Sequence, residues 1–597
     1  MRKRHSFILA ILLCPSILAF GQWSGDPMEN IMVRDTNGIL IVAHVAACDN
    51  GNSYVSWYSA TDGFRFDLAM QYFDINGQKL WGDNGLMIST QPTDTWVTEY
   101  GLAADNLGYA IVTNQDYRDG YSNAFAWRIS PEGQQMWGEE GLRLTDGDDF
   151  IPWPQVLVTE DNKYIFLYGM YPLDTTQNTS IGIQQINSAG VKEWESSISR
   201  DTLNYMLPQQ VLAGDGSLYV GWTGYYNGPD TVIGQMNYMH YYLQKFDNLG
   251  QPVWPEPLQL DTGEVITIGS LYPLIRIASD GENGVYVMWP WFIDTNPAVM
   301  ISRVSPEGQS LWDPYGTPVA VNPGHAFEEG TLCYNEDYGH AYAFWSEVKY
   351  DPGQHTYCYG IGGQKFSPGG DRLWGDTARR IIPYICSSDT NLFGASVRPA
   401  GDQGNALIHS KEYLDIQGVD TMMRTEINAT LLDGDGGYVW PEKVIPVTTC
   451  PSYKLQCDLS CFSQGQWVMA WSDNRQHIDE LENTGIYAQN FTLDGSLGPL
   501  ALPEALPASS QALKCYPNPF TDRITIEYEQ DVQQEITISL FDIQGRVVWE
   551  TIADRPQAGS HVLEVNTPDL EPGIYIFQAR AGHKTTISRI IKTASLR

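Results

Sequence analysis

Positive charge is scarce in this sequence. Lys and Arg number 35 against 71 Asp and Glu, for a net charge of −36. Nucleic acid and anionic lipid both need a basic face, so neither is expected as a partner. Beyond the N-terminus no run approaches the roughly eighteen apolar residues of a membrane helix, so no transmembrane segment is expected. A 3.6-residue apolar stripe is absent too, which excludes helical repeats. So are H-E-x-x-H, G-x-S-x-G and a Gly-rich phosphate loop opening a helix. The ten histidines are scattered. No catalytic residue and no metal ligand is therefore assigned. What remains is 43% hydrophobic and 12% aromatic, enough to bury a core.

The first residues, MRKRHSFILAILLCPSILAFGQ, carry a positive region (Arg2, Lys3, Arg4), an apolar segment (Phe7 to Phe20) and the small residues Ala19 and Gly21. This predicts a secretory signal peptide over 1–21, removed by the Sec signal peptidase before Gln22. Eight cysteines then remain, an even number suited to disulfides or burial in an exported protein. Cys450, Cys457 and Cys461 lack the paired C-x-x-C and histidines of a zinc site.

A turn motif recurs eight times, aligned on Gly77, Gly133, Gly190, Gly250, Gly308, Gly370, Gly436 and Gly495. Three residues earlier stand Asp74, Ser130, Asn187, Asp247, Ser305, Ser367, Asp433 and Thr492, each able to accept from backbone amides in a tight turn. Four residues later come Trp81, Trp137, Trp194, Trp254, Trp312, Trp374 and Trp440; the eighth copy has Pro499 there. The pattern predicts strand, turn and a second strand beginning at the tryptophan. With further strand signals upstream, about four strands per unit are expected. Such a period implies an all-β fold, a β-propeller over 22–500 with eight blades, or seven as the alternative. The tryptophans then fill the gaps between blades, each burial worth roughly 1.5–3 kcal/mol. The N-terminal NGILIVA (37–43) is expected to complete the last blade, with GPLAL (498–502) as the alternative.

The last unit, WSDNRQHIDELENTGIYAQNFTLDG, resembles a repeat of exported Bacteroidetes propellers, with W-x-D-x-R followed by I-Y-A-Q. Asp473 and Arg475, Asp116 and Arg118, and Glu347 and Lys349 keep its charge pattern and are read as ion pairs between neighbouring strands. The G-x-x-x-W spacing also resembles quinoprotein dehydrogenases, but no Cys-Cys pair is present, so it supports the architecture and not a quinone.

After a Pro, Ala and Ser linker (501–514) the chain changes character. YPNPF (516–520), ISLFDIQGRVV, LEPGIYIFQARAG and TISRIIK follow in order. Residues 515–597 thereby resemble a type A sorting domain of the type IX secretion system, a small Ig-like β-sandwich. The motif positions are Tyr516, Pro517, Asn518, Pro519, Asp542, Gly545, Gly573, Tyr575 and Lys592. The resemblance implies passage through periplasm and outer membrane by the type IX machinery. Release, or attachment to surface lipopolysaccharide, would follow.

Two aromatic clusters interrupt the period and are the candidate ligand sites: Tyr225, Tyr226, Tyr238, His240, Tyr241 and Tyr242, and Trp289 with Trp291. No cofactor is assigned; calcium at Asp433 and Asp435 is the alternative to a plain turn. The expected function is a secreted or surface propeller that binds a ligand or partner, such as a polysaccharide, without catalysis. The alternative is a glycan hydrolase or lyase with carboxylates at the propeller mouth.

Overall fold

A computed structural model describes residues 22–500, except 37, 63–64, 92, 94–99, 175, 227–237, 262–273, 294–295, 418–419 and 479–482. It also describes 514–593, except 522, 531–535, 543–546, 554–558, 567–569, 571–572 and 582–583. The signal peptide (1–21) and almost all of the linker lie outside the described residues. The chain forms two compact units, Met1–Leu500 and Ala501–Arg597.

In the first unit the described strands form eight four-stranded antiparallel sheets. Sheets 1 to 7 are each built from consecutive strands: Leu40–Ser89, Leu102–Arg143, Gln155–Ile198, Asn204–Gln259, Arg276–Pro318, His325–Cys386 and Thr390–Thr448. Sheet 8 takes three strands from Lys454–Thr492 and its fourth, Ile31–Arg34, from the other end of the chain, with Ile31 opposite Ala488. Eight apolar clusters join these sheets in sequence. One holds residues of sheets 1 and 2, the next of 2 and 3, and so on round to sheets 8 and 1, where Val33, Val45, Val55, Val468 and Ala488 meet. The first strands of successive sheets touch one another from sheet 1 to sheet 7 and again between sheets 8 and 1, and so line the axis. A cycle of face-packed four-stranded sheets is a β-propeller. Both faces of every sheet are covered, which is why central strands such as Ala110–Asp116 and Asn123–Ile129 are buried at every position rather than alternately.

The repeated turn has a single geometry. In each copy the glycine sits at φ between 74° and 96°, where a side chain is strained. Asp74 Oδ1 accepts from Asn76 N (2.9 Å) and Gln78 N (2.8 Å); Asp247 and Asp433 do the same. The tryptophan packs on the turn glycine of the following sheet: a Cβ at Gly308 would lie 2.8 Å from Trp254, and one at Gly495 2.8 Å from Trp440. In five copies the indole N–H donates to the carbonyl two residues before that glycine, as in Trp81 to Pro131 (2.8 Å), Trp254 to Pro306 (2.9 Å) and Trp440 to Leu493 (2.9 Å); Trp137 and Trp312 do the same, while Trp194 Nε1 has no such partner. Trp81 precedes its strand by five residues, whereas Trp194 lies within the strand Lys192–Ile198, so the strand does not begin at the tryptophan in either copy.

The closing strand differs from the expectation. NGILIVA runs into Leu40–Ala47, the innermost strand of sheet 1, and residues 498–500 of GPLAL form no strand. Ile31–Arg34 closes the ring instead, because its Ile31 and Val33 fill the cluster between sheets 8 and 1. Trp23 takes the place of the missing eighth tryptophan. It is 1% exposed, packs on Gly77 and donates to Ile75 O at 3.1 Å.

The second unit holds a three-stranded sheet (Lys514–Tyr516, Arg523–Gln530, Gly559–Asn566) and a four-stranded one (Ile536–Asp542, Val547–Ala553, Gly573–Ala581, Lys584–Lys592). Ile524, Ile526 and Val565 of the first pack with Ile538, Leu540, Phe577 and Ile590 of the second. The YPNPF segment is held to the last strand. Asn518 Oδ1 accepts from Ile591 N (2.8 Å), and Phe520 N donates to Ile591 O (2.9 Å). Tyr516–Pro517 and Asn518–Pro519 are cis, and Tyr516 is exposed. Tyr575 and Lys592 are buried, and Gly573 pairs with Lys592. Asp542 ends its strand opposite Tyr575, and Gly545 lies outside the described residues.

Candidate functional site

The aromatic clusters singled out from sequence are turned largely inward. Tyr241 and Trp289 belong to the core between sheets 4 and 5, and Trp291 is partly buried against it. Tyr242 stacks on Trp222 at 5.8 Å in the core between sheets 3 and 4. A ring with both faces packed offers none to a ligand; coverage of both sheet faces is the physical reason. His240 is held at 2.7 Å by Asp261 Oδ1. Tyr225 is half-buried; the side chains of Tyr226 and Tyr238 lie outside the described residues, as does the segment joining them.

The charged pairs also depart from the expected cross-strand bridges. Arg118 folds back on its own Asp116, with Nε to Oδ1 at 3.0 Å and Nη2 to Oδ2 at 2.7 Å. Arg475 likewise returns to Asp473 (Nε to Oδ2, 2.9 Å), which also accepts from Trp471 Nε1 at 3.0 Å. Glu347 is buried but ignores Lys349. Arg380 Nη2 (2.7 Å), Tyr384 Oη (2.7 Å) and His325 Nδ1 (2.5 Å) converge on its carboxylate. Gly360 and Gly362, on the strand between, leave room for that approach. Asp433 Oδ1 accepts from the amides of its own turn, and the exposed Asp435 meets Lys365 at 3.2 Å.

Of the cysteines, Cys358 and Cys386 are bonded, joining two neighbouring strands of sheet 6; Cys48, Cys333, Cys450, Cys457, Cys461 and Cys515 form no disulfide. Among the described residues the one grouping with metal-like spacing, Asp351 with Cys358 and Cys386, contains that disulfide and so has no thiolate to offer. Cys450, Cys457 and Cys461 do not converge.

The innermost strands share a device that the sequence conceals. In sheets 1, 4, 7 and 8 the first strand bulges at one register, with Val42 (φ 55°), Leu207 (φ 52°), Gly394 (φ 67°) and Gln456 (φ 51°) in the left-handed region. Three of these are not glycine, a cost of about 1–3 kcal/mol each that the surroundings must offset. Neighbouring sheets supply the clamps. Gln456 Oε1 accepts from Val42 N (2.7 Å), Tyr100 Oη donates to Val42 O (2.9 Å), and Gln155 Nε2 donates to Pro208 O (2.8 Å). Bulges re-aim side chains, and here they shape the inner rim.

At that rim sheets 6, 7 and 8 enclose a groove of about 510 Å³. Sheet 6 contributes Glu328, Ser346 and Tyr359; sheet 7 Asn391, Phe393, Gly394, Ser410 and Glu412; sheet 8 Tyr453, Lys454, Gln456 and Cys457. Asn391 and Glu412 face each other across the strand pair and bond at 3.3 Å. Burial raises the Glu412 carboxyl above the usual range. Burial likewise pushes the Lys454 ammonium down to about 8. Its Nζ donates to Thr425 O (2.8 Å), Cys450 O (2.6 Å) and Ser452 Oγ (2.8 Å), so it is committed to the fold. Burial pushes the Cys457 thiol up to about 12, which removes it as a nucleophile. The groove offers tyrosine faces, an amide, hydroxyls and two carboxylates: the chemistry of polar ligand recognition.

Residues 514–593 match the secretion system C-terminal sorting domain family. This marks the chain for export, to the cell surface or the medium. No curated protein matches the chain. Among solved structures it is similar to a protein of unknown function from Dyadobacter fermentans (9% identity, 78% of this chain and 97% of that one, TM-score 0.32). It is also similar to the β-propeller domain of the trilobed protease from Pyrococcus furiosus (8%, 70% and 98%, TM-score 0.35). A third is an α-L-arabinanase of Penicillium chrysogenum complexed with arabinobiose (11%, 58% and 94%, TM-score 0.32). Likenesses this distant carry no argument about ligand or activity. No described helix is long and apolar enough to cross a membrane.

Proposed function

We propose that the chain is an eight-bladed propeller, exported by the type IX secretion machinery through an Ig-like sorting domain, that binds a glycan without cleaving it. The observation that supports the binding reading is the groove of sheets 6 to 8, where tyrosine faces and paired polar groups line one cavity next to the axis. Removal of the signal peptide before Gln22 and of the sorting domain near residue 514 belongs to the same proposal, as does release or attachment to surface lipopolysaccharide. Mass spectrometry of the exported form reads both ends directly.

The binding test is titration of the mature chain with soluble polysaccharides, with Tyr359→Ala and Asn391→Ala as groove variants. Expected is saturable binding that both variants weaken; binding that neither variant alters would place the site elsewhere. A second reading rests on one observation. Glu412, its carboxyl raised by burial, shares the groove with Glu328, as a general acid and a second carboxylate would. Release of reducing sugar by the wild type, lost in Glu412→Gln while binding persists, would establish hydrolysis in place of simple binding.

A further inference from the structure

Sheets 6 and 7 carry hairpins longer than their neighbours: His340–Asp351 with Thr356–Phe366, and Asn405–Gln417 with Asp420–Leu432. Their strands run to 11–13 residues, against 7 in the corresponding strands of sheets 2 and 3. The extra length forms two arms with a second cavity of about 410 Å³ between them, lined by Tyr357, Tyr359, Asp389, Asn391, Glu412 and Tyr413 among others. Tyr359, Asn391 and Glu412 line the rim groove as well, so the two cavities adjoin at these three side chains.

We infer that the two adjoining cavities act as one channel that takes a chain polymer, a non-acidic polysaccharide several sugar units long. The inference rests on the proposed glycan-binding function and adds the length and charge of its ligand. Length follows from the adjacency of the two cavities across Tyr359, Asn391 and Glu412: a ligand that filled only the rim groove would leave the arms unused. The arm surface is built for contact. Tyr357 is 55% exposed, with Tyr350 edge-on to it at 5.4 Å to hold the ring in place. Tyr357 and Tyr359 share one strand face, while the intervening Cys358 points to the other and is bonded to Cys386, which fixes the arm's root. Flat aromatic faces beside amide and carboxylate acceptors match a pyranose or furanose, whose rings present C–H faces and hydroxyl edges.

Charge excludes acidic polymers. Glu328, Asp389 and Glu412 line the channel, and the lining has no arginine. Its lysine, Lys454, is spent on backbone carbonyls. A uronate or sulfated chain would meet three carboxylates, with no base to pair with beyond the His355 imidazole, which lies 3.3 Å from Tyr350 Oη.

The test uses the full mature chain and affinity electrophoresis against neutral polysaccharides (arabinan, xylan, a β-glucan, a mannan), an amine-bearing one (chitosan), acidic ones (polygalacturonate, a sulfated galactan) and a casein peptide digest. Expected is retardation by a neutral or amine-bearing polymer and none by the acidic set. Tyr357→Ala and Tyr413→Ala should weaken polymer binding about three- to tenfold each but leave a disaccharide of the same sugar unaffected. Tyr359→Ala should weaken both. Melting curves of each variant report folding, and Tyr359→Phe, which keeps the ring, should retain binding. Preferential binding of an acidic polymer through Tyr359 would overturn this inference and leave the glycan-binding function standing. Equal losses for polymer and disaccharide in the arm variants would overturn the length claim alone. Binding of peptide and of no polysaccharide would overturn both readings.

Discussion

Trp23 packs its indole on Gly77 and donates to the carbonyl of Ile75, the contact that Trp81 makes one sheet further on with Gly133 and Pro131. It lies two residues beyond the predicted signal-peptide cleavage site, yet it completes a ring whose last strand is Gly485–Thr492. The segment from Trp23 to Arg34 is therefore the latch of the propeller. Trp23→Ala should lower unfolding free energy by about 3–5 kcal/mol. Trp23→Phe should cost less. Gly77→Ala, whose Cβ would lie 2.7 Å from the Trp23 ring at φ 87°, should also destabilise. Urea unfolding followed by tryptophan fluorescence checks all three; a Trp23→Ala midpoint equal to wild type would mean that the latch is dispensable.

Acid stability should depend on His409. It is buried on sheet 7, and burial lowers its pKa from 6.5 to about 4. The unfolded chain takes up the proton at about pH 6.5 and the folded chain only near 4. Stability is therefore full at pH 7 and lost as pH falls through that window, by about 3 kcal/mol at pH 4. His409→Gln removes this titration. Unfolding measured from pH 4 to 7 should show a shallower acid limb in the variant than in the wild type.

Reduction should loosen sheet 6. The Cys358–Cys386 bond closes a loop across 28 residues, worth about 3–4 kcal/mol by the loop-entropy estimate. Cys386→Ser should lower the melting temperature, and dithiothreitol should shift the wild type but not the variant.

Ion pairs in the repeat should split into two classes by burial. Asp473 is fully buried between Arg475, Trp471 and Lys454, the last at 3.9 Å. Asp473→Ala leaves two buried cations without a counter-charge and should cost about 3–5 kcal/mol. Glu140, the exposed partner of Arg118 at 3.0 Å, should be replaceable by Gln within about 1 kcal/mol. Chemical denaturation of the two variants side by side decides this.

The turn acceptors and the tryptophans were legible because their contacts are local or repeat at a fixed offset. Asp74 bonds to amides two and four residues on, and each tryptophan meets a glycine some fifty residues later in the next copy. Trp23 was not legible, since its partner turn follows it while the sheet it completes lies at the far end of the chain. The channel was hidden for a related reason. Glu328, Glu412 and Tyr453 belong to three different sheets, and only the wider spacing of Trp312, Trp374 and Trp440, at 62 and 66 residues, hinted at longer hairpins. Tyr241, Tyr242 and Trp289 drew attention as an aromatic surplus, but alternation along a strand does not say that both faces are covered.

By itself the amino-acid sequence determined the repeating strand-turn-strand unit, the acidic surface and the pattern of the C-terminal module. Each depends on composition or on residues a few positions apart. Tertiary structure decided which strand closes the ring, which aromatics are core and where polar groups converge. Those outcomes depend on packing between sheets hundreds of residues apart, where burial of both faces, rather than any local preference, sets the energy.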